Sequence, residues 1–439
     1  MKIYEQQHRD IQHLFFTGLK KMDPGYVLDK KVRMDSGRLF IESRSYDLNR
    51  TGRIFVFGSG KAAAVMAKKL EDILGDKIAG GCIVCPYGCS LPLNKIEQME
   101  AAHPVPDENS VKAAGRMIEE ASETKPKDLI LYLLSGGTSS LLCLPTGELE
   151  LEDVQELYHA ILRSGAPIRA MNRIRTFFSG IKGGKLRRYF PAKTIEMLTI
   201  SDVPEDDPTV IGSAPLLEVS VDITEIKQLL NRYGLEKELP RRMQKFLDTR
   251  KAKIFSETGE KNKQQKPHVT ILASAGHLAR IIRYEARLLG YHSRIHDSFL
   301  TGESREVAMD IVKEALRVRQ KEVLPAALVY YGETTVTVKG TGKGGRNQEL
   351  ALQAGILLDG NHYITCLSAG TDGRDGETEA AGAVVNGQSC THWFSEGLDP
   401  GPSLENNDSW TFLNKSGNTM VTGPTGNNLM DIQIVLINA

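Results

Sequence analysis

Net charge is missing from this chain: Lys+Arg and Asp+Glu number 55 each in 439 residues. General nucleic-acid binding needs a basic footprint, and an even balance withholds it. Long apolar runs are missing too. No stretch approaches the roughly 18 apolar residues of a membrane-spanning helix. The opening "MKIYEQQHRDIQHLFF" interleaves charges where a signal peptide would need an apolar core. The expected compartment is the cytosol, with no membrane or nucleic acid as partner, and self-association stays open. Cysteine is sparse, and six in this length do not make a disulfide scaffold. Three of them cluster as "CIVCPYGC" (Cys82, Cys85, Cys89), but a closed metal site usually needs a fourth ligand. A buried strand followed by a turn at Pro86-Tyr87-Gly88 is the favoured reading, because free cysteine packs as a small hydrophobe.

Several catalytic signatures are absent as well. "TVKGTGKGGRNQEL" and "FVFGSGKAAA" both suggest a phosphate loop, yet a Walker A needs a glycine five residues before its Gly-Lys pair and a hydroxyl after it. Those positions hold Thr337 and Gly344 in the first stretch, and Phe55 and Ala62 in the second. "SGGTSS" is not the G-x-S-x-G elbow of the α/β-hydrolases. No G-x-G-x-x-G opens a first βαβ unit, which leaves nicotinamide binding unsupported.

What is present is alternation. Apolar, β-branched runs (53–58, "GGCIVC", "KIEQMEA", 127–135, 194–201) take turns with helical patterns over 108–123, 151–164 and 168–188. After a polar stretch ending "EKNKQQKP" the alternation restarts, with helices over 276–289, 303–319 and 346–358 and a final strand "MDIQIVLI". Such alternation predicts α/β architecture with a parallel or mixed sheet covered by helices on both faces. The expected division is a Rossmann-like N-terminal α/β domain (1–240), a polar connecting segment (241–267) and a C-terminal α/β domain (268–439). At 439 residues, two domains are the natural prior.

Ligands of open α/β sheets gather at the carboxyl ends of the strands. Four glycine-rich strand exits lie there: "FGSGK", "SGGTSS", "GTGKGGR" and "SAGTDGRDG". Any one could be only a turn. Lys61 and Arg346, however, stand at predicted helix starts, where a cation opposes the helix dipole unless an anion is bound. "TISDVPEDDP" and "GTDGRDGETEAAG" add Asp202, Asp206, Asp207, Asp372 and Asp375. Several of these are turn formers. Asp202 and Asp372 occupy strand exits and are the candidate metal ligands or hydroxyl-orienting groups. Phosphoryl transfer needs cations, a metal and a group that orients the acceptor, and these residues supply the parts.

Ten ordered blocks then carry a resemblance, among them "GSGKAA", "HPVPDENS", "LLSGGTSSLL", "NRIRTFFSGIKGGKL", "SDVPEDDPTVIGSAP", "GKGGRNQELAL" and "SAGTDGRDGETEAAGAVV". The chain resembles the class II glycerate kinases, the glycerate 2-kinases with a C-terminal MOFRL domain. The resemblance implies transfer of the ATP γ-phosphate to the 2-hydroxyl of D-glycerate, assisted by Mg²⁺, in a cleft between two α/β domains. Lys61 and Arg346 carry over as catalytic groups. Gly58, Ser59, Gly60, His103, Ser135, Gly136, Gly137, Thr138, Gly344, Gly345 and Asn347 carry over as binding positions. Cys85 and Cys89 stand where a Thr and a His are expected, and Ala214 where a glycine is common, which bears on the acceptor. The alternatives are a hydroxypyruvate reductase and a non-catalytic metabolite sensor on the same scaffold.

Overall fold

The computed structural model describes residues 2–249 and 265–439. By contacts the chain forms two units: Val27–Leu272, and the residues up to Tyr26 together with Ala273–Ala439.

The Val27–Leu272 unit starts with an antiparallel meander of β1 (Val32–Asp35), β2 (Arg38–Ile41) and β3 (Arg44–Asp47). Its main sheet holds β4 (Ile54–Ser59), β5 (Ile78–Gly80), β6 (Cys82–Pro86), β7 (Glu97–Ala101), β8 (Leu129–Leu134), β9 (Thr194–Ile200) and β10 (His268–Ala273). The strand order is β10-β9-β8-β4-β6-β7, with β5 beside β4. The pairings from β5 and β4 out to β7 and β9 are all parallel. Every residue of β4 and β8 is buried, as strands covered on both faces require. Phe55, Phe57, Tyr132 and Met197 pack with Ala113 and Met117 of the helix Glu108–Ser122. That helix is held at its start by a capping box between Asp107 and Ser110. Cys82 and Cys85 lie buried in β6 and only Cys89 is exposed, so the cysteine cluster belongs to strand packing.

The other unit carries a mixed sheet. Its strands are β11 (His292–Ile295), β12 (Ala326–Gly332), β13 (Ile364–Gly370), β14 (Gly382–Asn386), β15 (Thr419–Met420) and β16 (Asp431–Ile437), in the order β11-β12-β16-β13-β14-β15. Only β11 and β12 run parallel; β16 lies antiparallel to both its neighbours. The helices Ser304–Lys321 and Arg346–Leu357 pack on it through Val307, Ile311, Leu350 and Ala354.

The α/β class stands, with a parallel N-terminal and a mixed C-terminal sheet. The boundaries move. The helix Lys2–Lys21 groups with the C-terminal sheet because Gln7, fully buried, donates to Tyr363 O (2.8 Å), Leu436 O (3.2 Å) and Asn438 Oδ1 (2.8 Å), and accepts from Thr365 Oγ1 (2.9 Å). The expected polar connector begins as an amphipathic helix, Arg241–Thr249, whose Met243 and Leu247 enter an apolar cluster of the first unit. Residues 250–264 of that connector lie outside the described residues. The helix expected over 168–188 stops at Phe177, since Gly183 and Gly184 take φ of +64° and +85°, where the chain turns before the short Lys185–Tyr189 helix.

Candidate functional site

In the Val27–Leu272 unit the carboxyl ends of β4, β8 and β9 bring one set of expected residues together. Gly58 lets β4 approach β8 closely, for a Cβ there would stand 2.5 Å from Leu133 Cβ. Beyond it, Ser135 N donates to Ser59 O (3.2 Å), Lys61 N to Gly136 O (2.9 Å) and Ala62 N to the Ser135 hydroxyl (3.1 Å). Gly60 needs its φ of +131° and its bare Cα, since a Cβ would fall 2.1 Å from Ser135 Oγ. The Thr138 hydroxyl ties Ser59 O (2.7 Å) to Ser135 O (2.9 Å). Ser59, Ser135 and Thr138 are thus buried braces that lock the two strand exits together.

The surface they support is the backbone of Gly136 and Gly137. A Cβ on Gly136 would lie 2.0 Å from Asp202 Oδ2. One on Gly137, whose φ is +91°, would lie 3.2 Å from the His103 ring and 3.3 Å from Lys61 Cγ. A half-buried carboxylate therefore stands on one side of a bare peptide, with an exposed ammonium and an imidazole on the other. Lys61 sits in the turn just before the helix Ala63–Leu74 rather than in its first turn. Although the ring reaches the surface, partial desolvation first, then the charges of Lys61 and Arg175, hold the His103 imidazole down to about 4, so it is neutral near pH 7 and able to accept a proton or a hydrogen bond.

Next to Gly137 runs a polar chain that sequence reasoning did not single out. Ser139 Oγ meets Ser213 Oγ at 2.8 Å, and Ser213 donates to Asn172 Oδ1 (3.0 Å). Tyr158 donates to Ser139 O (2.7 Å), and the Arg175 guanidinium lies over the Tyr158 ring at 4.5 Å. Asn172 and Arg175 are three residues apart on one helix, so they share a face. That spacing, inside the stretch read only as helical, was the available signal. Ser213 and Ala214 have φ of +58° and +50°. The chain thus keeps, with alanine, the left-handed conformation that favours glycine. Cys85 points inward, and Cys89 occupies the exposed turn after β6.

The second set, in the other unit, looks different from the expected anion cradle. The backbone amides from Lys339 to Lys343 of the "KGTGKGG" loop are taken up by protein. Lys339 and Gly340 donate to Asn407 Oδ1 (2.7 and 3.0 Å), Thr341 to Asn406 Oδ1 (3.1 Å) and Lys343 to Asp408 Oδ1 (2.9 Å). Gly344 and Gly345 are bare because Ser409 Oγ and Asp375 Cγ would lie 2.1 and 2.4 Å from a Cβ. The amino end of the helix Arg346–Leu357 is filled by Asp375, which accepts from Asn347 N (3.1 Å) and Gln348 N (2.8 Å). An internal carboxylate thus occupies the place assigned to a phosphate. Burial pushes Asp375 up to about 6 against those hydrogen bonds.

Asn347 is 0% exposed, its amide bonded to Asp375 and Ser368, so it braces the core and has no free face for a ligand. Arg346 does reach the surface in part, but its fork is held by Asp431 (Nε–Oδ2 2.5 Å, Nη2–Oδ1 3.0 Å) and its Nη1 by Glu333 (3.0 Å). Asp431 is 1% exposed. Asp372 is exposed, with Oδ1 accepting from Arg374 N (3.1 Å). Among the described residues no group of three or more His, Cys, Asp or Glu could hold a metal ion by itself. Nor, among them, is any helix long and apolar enough to cross a membrane.

Two family models match the chain: a domain of unknown function (DUF4147) over residues 10–248, and the MOFRL family over 326–431. A D-glycerate 2-kinase of Thermotoga maritima is 40% identical over 88% of this chain and 91% of that protein. A protein of Agrobacterium vitis named for hydroxypyruvate reductase activity is 36% identical over 88% of this chain and 87% of its own length. The crystal structure of a Thermotoga maritima glycerate kinase superposes with a TM-score of 0.85 at 34% identity, covering 99% of this chain and all of that one. With that identity over nearly the whole length, and with both domain models in place, the chain belongs to the glycerate kinase family built from DUF4147 and MOFRL regions.

Proposed function

We propose that the protein is a cytosolic glycerate 2-kinase that transfers the γ-phosphate of ATP to the 2-hydroxyl of D-glycerate, giving 2-phosphoglycerate and ADP. The observation that carries this reading is the placing of Lys61, His103 and Asp202 around the bare Gly136-Gly137 peptide. Phosphoryl transfer asks for little more than such placed charges. Lys61 would neutralise the transferring group. A neutral His103 would accept the hydroxyl proton, or a hydrogen bond from that hydroxyl, as a positively charged imidazole could not. Asp202 would orient the acceptor or contribute to a metal site.

The fit to Mg²⁺ is that of a partial site. A Mg²⁺ ion is usually bound by one or two carboxylates plus substrate phosphates and water, and Asp202 supplies one such carboxylate at the glycine loop. When bound, the ion would supply charge neutralisation for the phosphates. Asp372 is the exposed acidic candidate of the other unit, beside the Arg346–Asp431–Glu333 cluster. That cluster gives Arg346 first the task of holding the buried Asp431 carboxylate; a role in phosphoryl neutralisation would require the exposed Glu333 to yield Nη1.

The test is phosphorus NMR of the product formed from ATP, Mg²⁺ and D-glycerate. A 2-phosphoglycerate resonance is expected. A 3-phosphoglycerate resonance would overturn the position of transfer. Oxidation of NADH by hydroxypyruvate, with no phosphorylated product, would establish the reductase instead.

A further inference from the structure

Arg175 is 8% exposed, and the described structure gives its guanidinium no hydrogen bond and no ion pair. Its Nε is fully enclosed without a partner; its guanidinium lies over the Tyr158 ring and its charge acts on His103. A buried charge with no counter-charge is costly, and proteins retain one only where something else compensates it. A second buried arginine among the described residues of this unit shows the contrast. Arg187 Nε is likewise unpartnered, but its terminal nitrogens donate to Phe190 O (2.7 Å) and Ala192 O (2.9 Å), whereas those of Arg175 donate to no protein group.

The position of Arg175 says what the missing partner is near. Its ring partner Tyr158 is bonded to Ser139 O, two residues past Gly137, and Gly137 is flanked by His103 and Lys61. Arg175 and Tyr158 also line, with Lys182, a space of only about 10 Å³, room for a single water. Lys182 itself, 3% exposed, donates to Leu142 O at 3.3 Å. A carboxylate does not fit there, which leaves approach over Ser139 and Gly137.

We infer that Arg175 is the anchor for the carboxylate of the acceptor, an unassigned binding residue at the Gly136-Gly137 loop. The inference rests on the kinase reading for the identity of the acid. A planar fork matches a carboxylate bidentately, whereas the exposed Lys61, a mobile point charge, suits the moving phosphoryl group. A small acid held by the buried arginine places its hydroxyl on the side of His103 and Lys61.

The experiment compares the full-length protein with Arg175→Gln and Arg175→Lys. The KM for D-glycerate should rise roughly 100-fold in Arg175→Gln, the order for removing one partner of a buried charge pair. Arg175→Lys should recover part of it, and the KM for ATP should stay within about two-fold of wild type in both. Thermal unfolding gives a second readout that needs no turnover. Wild type should be stabilised by D-glycerate and Arg175→Gln should not, while the ligand-free Tm of the variant should hold or rise because an uncompensated charge is gone. A KM for ATP that rises in place of that for glycerate, or loss of stabilisation by inorganic phosphate alone, would move the residue to the nucleotide and overturn the assignment. So would a ligand-free Tm that falls with both KM values unchanged, or a wild type whose Tm does not respond to D-glycerate. If Arg175→Gln fails to fold, Arg175→Lys carries the same comparison. Failure of the kinase reading is separate: absence of phosphorylated product leaves the glycerate-induced Tm shift, and its loss in the variant, as the measure of this site.

Discussion

Asp375 places its two carboxylate oxygens on the backbone amides of Asn347 and Gln348, closing the amino end of the helix that starts at Arg346. The glycine-rich loop ahead of that helix is therefore a structural joint. Asp375→Ala should destabilise the protein by about 2–3 kcal/mol in urea unfolding, since buried donors lose their acceptor. Asp372→Ala, on the exposed side of the same turn, should stay within about 0.5 kcal/mol.

Arg346→Ala should cost stability as well as activity. Asp431 is 1% exposed and would be left as an unpaired buried charge, a change worth about 3–5 kcal/mol. Adding Asp431→Asn should restore much of the stability without restoring turnover. Equal stability of Arg346→Ala and wild type would mean the ion pair is not what holds this corner together.

Lys61→Ala should behave the opposite way. Its side chain is exposed and caps nothing, so unfolding should be unchanged while kcat falls about 100- to 1,000-fold, the range for losing one preorganised charge. Gly136→Ala should be as inactive, because its methyl would meet Asp202 Oδ2 at 2.0 Å. Near-normal rates in either variant would remove the loop from the reaction.

The pH dependence follows from His103. Its folded pKa of about 4 lies below the ordinary imidazole value near 6.5. Between those values the unfolded chain binds the extra proton, so stability falls as pH drops through the window and recovers as it rises. His103→Gln should flatten that slope. If His103 serves as the acceptor of the hydroxyl proton, the acid limb of kcat should also sit near 4 to 5 in wild type. A limb near 6.5 would show an imidazole in its ordinary state.

The strands were legible because they are nearly pure apolar runs, and β4, β8 and β16 fall where the sequence places them. The meander β1–β3 was not, as its four-residue strands mix charge with apolar residues and carry no clear period. At the site, Lys61, His103, Asp202 and the glycines of 136–137 do gather, since strand exits of a parallel sheet point one way. Sequence could not tell what Asn347 and the 340–345 loop contact, for one reason. Glycine and amide residues look alike whether they cradle a ligand or the side chains of Asn406, Asn407 and Asp408, and the partners lie some sixty residues away. Arg175 carried no local signal beyond its spacing from Asn172; its meaning lies in the partner it lacks.

Because Gln7 bonds to Tyr363, Leu436 and Asn438, the unit that holds the mixed sheet is written at both ends of the chain, with Val27–Leu272 set between them. During synthesis the first helix emerges hundreds of residues before the strands it covers. Its apolar side, with Ile11, Leu14 and Phe15, must wait uncovered until the helix Ala275–Leu288 exists, and Gln7 until β13 and β16 exist, while the inserted unit can finish beforehand. Deleting the opening helix should therefore damage the far end of the polypeptide and spare the residues that directly follow the cut.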